Sequence, residues 1–285
     1  MALKQRIACL SIDMEPDLRC PNQRIRLLED EHRLEEFVRI LRRYGVPLTS
    51  FTVMSHAKRY IERLNALARE IPVEFAVHSF SHDNANPASV FEIARARDAY
   101  ESLWNAAPLG YRAPNCVIDA AVINRLTRAG FQYDSSIVPS IRPDAYGYNN
   151  LRFGREPFYF YGDAGRLLEL PIACLARIHV PLIFSYVKLL GLSAYRLASA
   201  LFPLPDVVVT YFHPYDLYAS EIADNIPGWK RYAHARNGRN GMTLLLRLIE
   251  LLKKNGYEFA LMRDVAESFD KNGSALKEVA LAAAG

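Results

Sequence analysis

Five side chains in this sequence have the types and spacing for hydrolytic metal chemistry. Asp13 and Glu15 flank Met14, His78 and His82 lie four residues apart, and His213 stands alone far along the chain. Two histidines and one carboxylate form a known ligand set for catalytic zinc, with a fourth position left open to water. Glu15, His78 and His82 are expected to be those ligands, the two histidines sharing one face of a helical turn. The cofactor is then a divalent metal, with Zn2+ the ion these ligands favour. Asp13, on the other side of Met14 from Glu15, is free to act as a base on the attacking water. His213 is expected to be the acid that protonates the leaving group.

Each of these groups ends a short apolar run. Ile7–Ile12 leads into Asp13, Val73–Val77 into His78, and Val207–Phe212 into His213. Parallel strands that finish at one rim would bring the groups together, and in α/β barrels and open sheets that rim carries the active site.

At these residues the chain resembles the polysaccharide deacetylase family, the NodB-homology or carbohydrate esterase family 4 deacetylases. The motifs are Ser11-Ile-Asp13-Met-Glu15, His78-Ser-Phe-Ser-His82, Arg112-Ala-Pro114, Tyr133-Asp134-Ser-Ser and Tyr211-Phe-His213, in the family's order. The first is the Asp-x-Glu variant, because Met14 stands where the common motif has a second aspartate; Asp17 is a weaker substitute ligand. The fourth motif has Ser135 where Trp is usual, and the fifth has Tyr211 where Leu is usual. The resemblance implies a distorted (β/α) barrel of about seven mainly parallel strands. It also implies that Arg112 holds Asp13 through a bidentate ion pair, and that Asp134 orients His213 and raises its pKa.

Composition sets outer bounds. With 285 residues, 51% hydrophobic and 23% charged, the chain can bury a sizeable core. A net charge of +4 and the absence of like-charge blocks give no reason to expect nucleic acid as a partner. Cys9, Cys20, Cys116 and Cys174 are widely spaced and imply no disulfide scaffold. The apolar run after Arg6 is shorter than a secretory signal needs, so a cytoplasmic location is expected. Walker, dinucleotide-binding and nucleophile-elbow signatures are missing.

Periodicity gives an alternating order of elements. Leu34, Phe37, Val38 and Leu41 mark a helix closed by Gly45; Ala57, Ile61, Leu64 and Ala68 mark a second. Strands are expected at Leu48–Met54, Phe131–Asp134, Leu167–Leu170 and Tyr257–Met262, and further helices at Pro87–Asn105, Ile118–Ala129 and around Leu244–Leu252. This alternation argues for a mainly parallel α/β sheet or barrel forming one catalytic domain over 1–285. Asp144–Asp163 reads as a long aromatic loop, and the Ala-rich end after Lys271 as a frayed tail.

Pro181–Pro203 brackets an apolar helical insertion containing Lys188 and Arg196. An interfacial helix over 182–202, its two cations at headgroup level, together with the basic loop 230–239, suggests peripheral contact with a membrane or a polyprenyl phosphate. The expected function is metal-dependent removal of an acyl group from an N-acylated sugar, on a polysaccharide or lipid-linked glycan precursor. The rivals are a metal-independent cyclic-amide hydrolase of the same superfamily and a non-catalytic carbohydrate- or membrane-binding protein on a decayed deacetylase fold.

Overall fold

The computed structural model describes residues 5–18, 21–83, 88–143, 147–218, 231–232, 236, 241–271 and 276–280. Each apolar run that was expected to deliver a chemical group forms a strand. They are β1 (Arg6–Met14), β3 (Val73–Val77) and β10 (Val207–Phe212); β2 (Leu48–Thr52), β4 (Gly110–Tyr111) and β5 (Tyr133–Asp134) complete the parallel set near them. The helices between are α1 (Arg26–Glu29), α2 (Glu31–Tyr44), α3 (Met54–Glu70), α4 (Val90–Trp104) and α5 (Ala120–Arg128). Local signals explain their bounds. Asp30, Ser89 and Asp119 each cap a helix by accepting a backbone N–H, and Gly45 ends α2 at φ 60.

The segment expected to be an aromatic loop is more ordered than its composition suggests. It holds β7 (Tyr148–Asn149), antiparallel to β6 (Ile141–Arg142), and β8 (Phe158–Gly162), antiparallel to β9 (Gly165–Glu169). The run of aromatics Phe158–Tyr161 has side chains that strands favour as readily as loops accept them. The tail also contributes: β12 (Lys277–Ala280) pairs with β8, while β11 (Tyr257–Phe259) pairs with β1. On α3 the buried face is Ala57, Tyr60, Leu64 and Leu67; Ala68 is exposed. Tyr60 takes the inward place because its hydroxyl reaches Glu29 and the Ile25 amide.

The ten-stranded sheet runs β10-β1-β2-β3-β4-β5-β9-β8-β12, with β11 beside β1. Strands β10 through β9 are parallel neighbours, a mainly parallel α/β arrangement of seven strands. Among the described residues the continuous ladder does not close. The chain just past β9 meets β10 through one isolated parallel bridge, Ile172 to Val209.

Side chains alternate between two packed layers. Ala8, Leu10, Ile12 and Met14 pack with the helices, while Cys9 packs with Phe51, Ala76, Tyr133, Leu168 and Val209 on the interior face. This parity turns Ser11 and Asp13 inward with Cys9 and turns Met14 outward, where it is fully buried. A carboxylate at position 14 would face the helix layer, and Glu15 returns to the productive side. The same alternation carries His78 inward after Ala76 and His213 inward after Val209 and Tyr211.

The insertion is two short helices, α6 (Phe184–Leu190) and α7 (Leu192–Leu201), broken at Gly191 with φ 83. This corrects the single interfacial helix. Phe184, Val187 and Lys188 are buried, so Lys188 cannot sit at headgroup level. No described helix is long and apolar enough to cross a membrane. Of the basic loop, Lys230 and Arg239 lie outside the described residues, as does Cys20. Later in the chain come α8 (Gly241–Lys254) and α9 (Met262–Lys271), the latter beginning where the last strand was expected to end.

Candidate metal-assisted hydrolytic site

Glu15, His78 and His82 come together at the C-terminal ends of β1 and β3. One ligand atom from each lies within 4.8 Å of the others. Glu15 Oε2 is 2.8 Å from His82 Nε2 and 3.7 Å from His78 Nε2. A tetrahedral ion with bonds of about 2.1 Å separates its ligand atoms by roughly 3.4 Å, so the set fits such an ion. His78 Nδ1 bonds the Arg112 carbonyl oxygen at 2.8 Å, which assigns its proton and leaves Nε2 for the site. Tyr215 donates to Glu15 Oε1 at 3.1 Å and leaves Oε2 facing the histidines. Burial alone would raise the Glu15 pKa, but His213, His78 and His82 together hold it well below the usual carboxylate value.

The two histidines do not share a helical turn. Ser79 and His82 both have left-handed φ, 60 and 57, and the segment is a tight loop. Three bonds to Glu92 on α4 hold it, from the Phe80 and Ser81 amides and the Ser81 hydroxyl. The first amides of α3 bind the other side, Met54 to the Ser79 oxygen and Ser55 to the Phe80 oxygen. Asp17 stands apart from the ligand cluster, its Oδ2 taken by Arg26 at 2.7 Å.

Asp13 is buried, and its Oδ1 accepts from Arg112 Nη1 at 2.7 Å. The pair rests on one N–H rather than the expected bidentate fork, because Arg112 has other partners. The same Nη1 donates to Ser11 Oγ, Nε to the Ser135 oxygen and Nη2 to Ser135 Oγ. The guanidinium lies 4.0 Å from the Phe51 ring centroid and 4.9 Å from that of Tyr211. Fully buried and held on all sides, Arg112 fixes Asp13 in place.

His213 faces this group, its Nε2 3.9 Å from Asp13 Oδ2 and 3.7 Å from Glu15 Oε1. Tyr215 stacks on its ring at 4.6 Å. The carboxylate on His213 is Asp216, whose Oδ2 meets Nδ1 at 3.2 Å and the backbone N–H at 2.9 Å. Burial pulls the His213 pKa down, but Glu15, Asp216 and Asp13 push it up to about 9.

Asp134 therefore does not take the place expected for it. Its neighbours Tyr133 and Leu170 face the interior, so Asp134 lies one step out of phase and turns toward the helix layer with Tyr111. There it accepts from the Ser136 amide and hydroxyl, and Ser136 Oγ accepts from the Ala113 amide just past Arg112. Register sets Glu169 beside it. Burial and the charge of Asp134 hold the Glu169 pKa well above the usual carboxylate range.

Asp216, Lys188, Glu92, Ser135 and Tyr215 are the residues the sequence reading missed. A spacing signal existed for one of them: an acid three residues after a histidine suits a tight turn back to its backbone, as Asp216 makes.

Residues 4–133 match the family described as polysaccharide deacetylase, just under half of the chain. No curated protein matches the chain significantly. Among solved structures, a putative polysaccharide deacetylase from Mycobacterium smegmatis is similar at TM-score 0.61 and 18% identity, over 98% of this chain and 96% of that one. An allantoinase, Puue, is similar at TM-score 0.55 and 15% identity over 93% and 89% of the two chains. A probable polysaccharide deacetylase from Pseudomonas aeruginosa PAO1 is similar at TM-score 0.52 and 17% identity over 93% and 90%. These likenesses show the fold. The family match adds that the segment carrying Asp13, Glu15, His78, His82 and Arg112 is similar to polysaccharide deacetylases.

Proposed function

We propose that this protein is a metal-dependent deacetylase that releases acetate or formate from the N-acyl group of an amino sugar in a polysaccharide or oligosaccharide. The observation that carries the reading is the convergence of Glu15, His78 and His82 beside Asp13 and His213. A divalent cation held by those three residues, Zn2+ by donor type, would polarise the amide carbonyl and ease ionisation of water. Asp13 supplies the base. Its Oδ1 is occupied by Arg112, which leaves Oδ2, the oxygen turned toward His213, to take the proton of the attacking water. His213 supplies the acid. With Nδ1 on Asp216, its Nε2 points into the site and gives a proton to the amine as the C–N bond breaks. An unprotonated amine anion is a very poor leaving group, so this step needs a placed acid.

The three converging ligands favour this reading over the metal-independent cyclic-amide hydrolase and over a non-catalytic binder. The test is metal analysis of the purified protein together with acyl release from a panel of N-acetylated and N-formylated sugars. Stoichiometric metal and product are expected from wild type, and loss of both from His78→Ala. Full metal occupancy in His78→Ala would overturn the ligand assignment; activity that survives complete metal removal would favour the cyclic-amide rival.

A further inference from the structure

We infer that Lys188 and Asp216 are positioning residues for His213, so that the inserted helix α6 is a support of the catalytic acid. The inference rests on the deacetylase reading given above. Lys188 Nζ donates to Asp216 Oδ1 at 2.7 Å, and both side chains are fully buried. The other oxygen, Oδ2, receives the His213 backbone N–H and faces Nδ1. One carboxylate thus ties the inserted helix to both the backbone and the ring of a single histidine.

Packing alone does not account for this pair. Taking an ammonium and a carboxylate out of water is costly, and apolar side chains of similar volume fill such a space at less cost. The surroundings are built for apolar contact: Phe184 of α6 meets Phe212 of β10 at 5.9 Å, and Val187 is buried beside Lys188. The geometry gives the pair a use. An acceptor on Nδ1 selects the tautomer and the ring angle that aim Nε2 at the space shared with Asp13 and Glu15. Lys188 holds that acceptor from its far side, so Asp216 cannot swing away from the ring. The helix itself is fixed to the sheet, because Thr210 of β10 donates to the Leu182 oxygen at 2.6 Å and Tyr195 of α7 to the Pro181 oxygen at 2.5 Å.

The test compares wild type with Lys188→Met, Asp216→Asn and the double variant Lys188→Met/Asp216→Asn. Four quantities are read: bound metal, kcat, KM and the His213 Nδ1–H proton resonance, assigned by its loss in His213→Gln. Wild type should show a downfield Nδ1–H resonance, shifted or lost in Lys188→Met. That variant should lose about 10–100-fold in kcat, with KM and metal content unchanged. The double variant contains no unpaired buried charge, so it folds even where a single variant does not, and it should remain slow. A folded double variant with wild-type kcat and an unmoved resonance would reduce the pair to packing. If wild type releases no acyl group from any sugar, the deacetylase reading falls, and the resonances still decide whether Lys188 positions His213.

Discussion

Two of the buried pairs of ionisable side chains, Asp216 with Lys188 and Asp134 with Glu169, are held in different ways. Past the end of β10, Asp216 is met by Lys188, and burial, which works against its charge, is overcome by Lys188 and His213 to hold its pKa far below the usual value. Within β5 and β9, Asp134 is met by Glu169, and burial together with the charge of Asp134 pushes Glu169 toward its neutral form. The first pair ends on a histidine ring and the second on the backbone around Ser136 and Ala113. A buried carboxylate near a catalytic rim is therefore no guide to function by itself. What decides its role is the face of the strand it leaves from and the partner that meets it.

The strongest way to break this comparison is to disable one carboxylate on each face. Asp13→Asn, on the interior face, should keep its metal and lose about 10²–10⁴-fold in turnover, the usual worth of a general base. Asp134→Asn, on the helix-facing side, should lose less than about tenfold. Steady-state acyl release measures both, and equal losses would put Asp134 back among the groups that act on the reaction.

Stability offers the second contrast. Asp216→Ala leaves the Lys188 ammonium buried without its carboxylate and should cost about 3–5 kcal/mol. Asp134→Ala leaves Glu169 free to stay neutral and should cost about 1–3 kcal/mol, mainly for the Ser136 groups left without an acceptor. Urea unfolding at pH 7 gives both values, and a reversed order would mean that the two-carboxyl pair is the more dependent of the two.

A third test asks whether Glu169 keeps its proton. The pKa of Glu169 is raised in the fold above its ordinary value of 4.5, so the folded state favours the protonated acid. Its contribution to stability is complete below pH 4.5 and is lost as the pH rises toward the raised value. Gln carries an amide N–H in every condition. The stability of Glu169→Gln relative to wild type should therefore rise from pH 4.5 upward, followed by urea midpoints at intervals of one pH unit. A flat difference would show that Glu169 keeps no proton.

The smallest expected effect belongs to the outer face of the insertion. Leu197 on α7 is 72% exposed, and Leu197→Asp should change stability by no more than about 0.5 kcal/mol. Val187→Asp on α6 places a charge in the buried layer next to Lys188 and should destabilise by several-fold more. Equal effects would mean that α7 is covered in solution.

Much of the site was legible because β-strands have a period of two and end abruptly. Three apolar runs, each closed by an acid or a histidine, marked β1, β3 and β10 to within one or two residues, and the strand ends placed Asp13, His78 and His213 at one rim. The loop between the histidines was not legible. Its left-handed turns at Ser79 and His82 depend on Glu92, which lies on a later helix. The strand β12 escaped notice because it pairs far back in the chain with β8, and β7 and β8 because their aromatic sequences suit loops as well.

The sequence by itself determined which side chains could carry the proposed chemistry, since acid, base and ligand types are fixed by residue identity and strand-end spacing. It also determined the alternating α/β order, because local periodicity and capping residues set it. Only the tertiary structure decided which carboxylate serves His213. The fourth motif placed Asp134 within sequence reach of the role, but the phase of β5 turned it away, and a helix inserted ahead of β10 brought Lys188 to Asp216 instead. Strand phase and the docking of α6 arise from long-range packing, and a buried ion pair forms only when both of its members are carried to the same place.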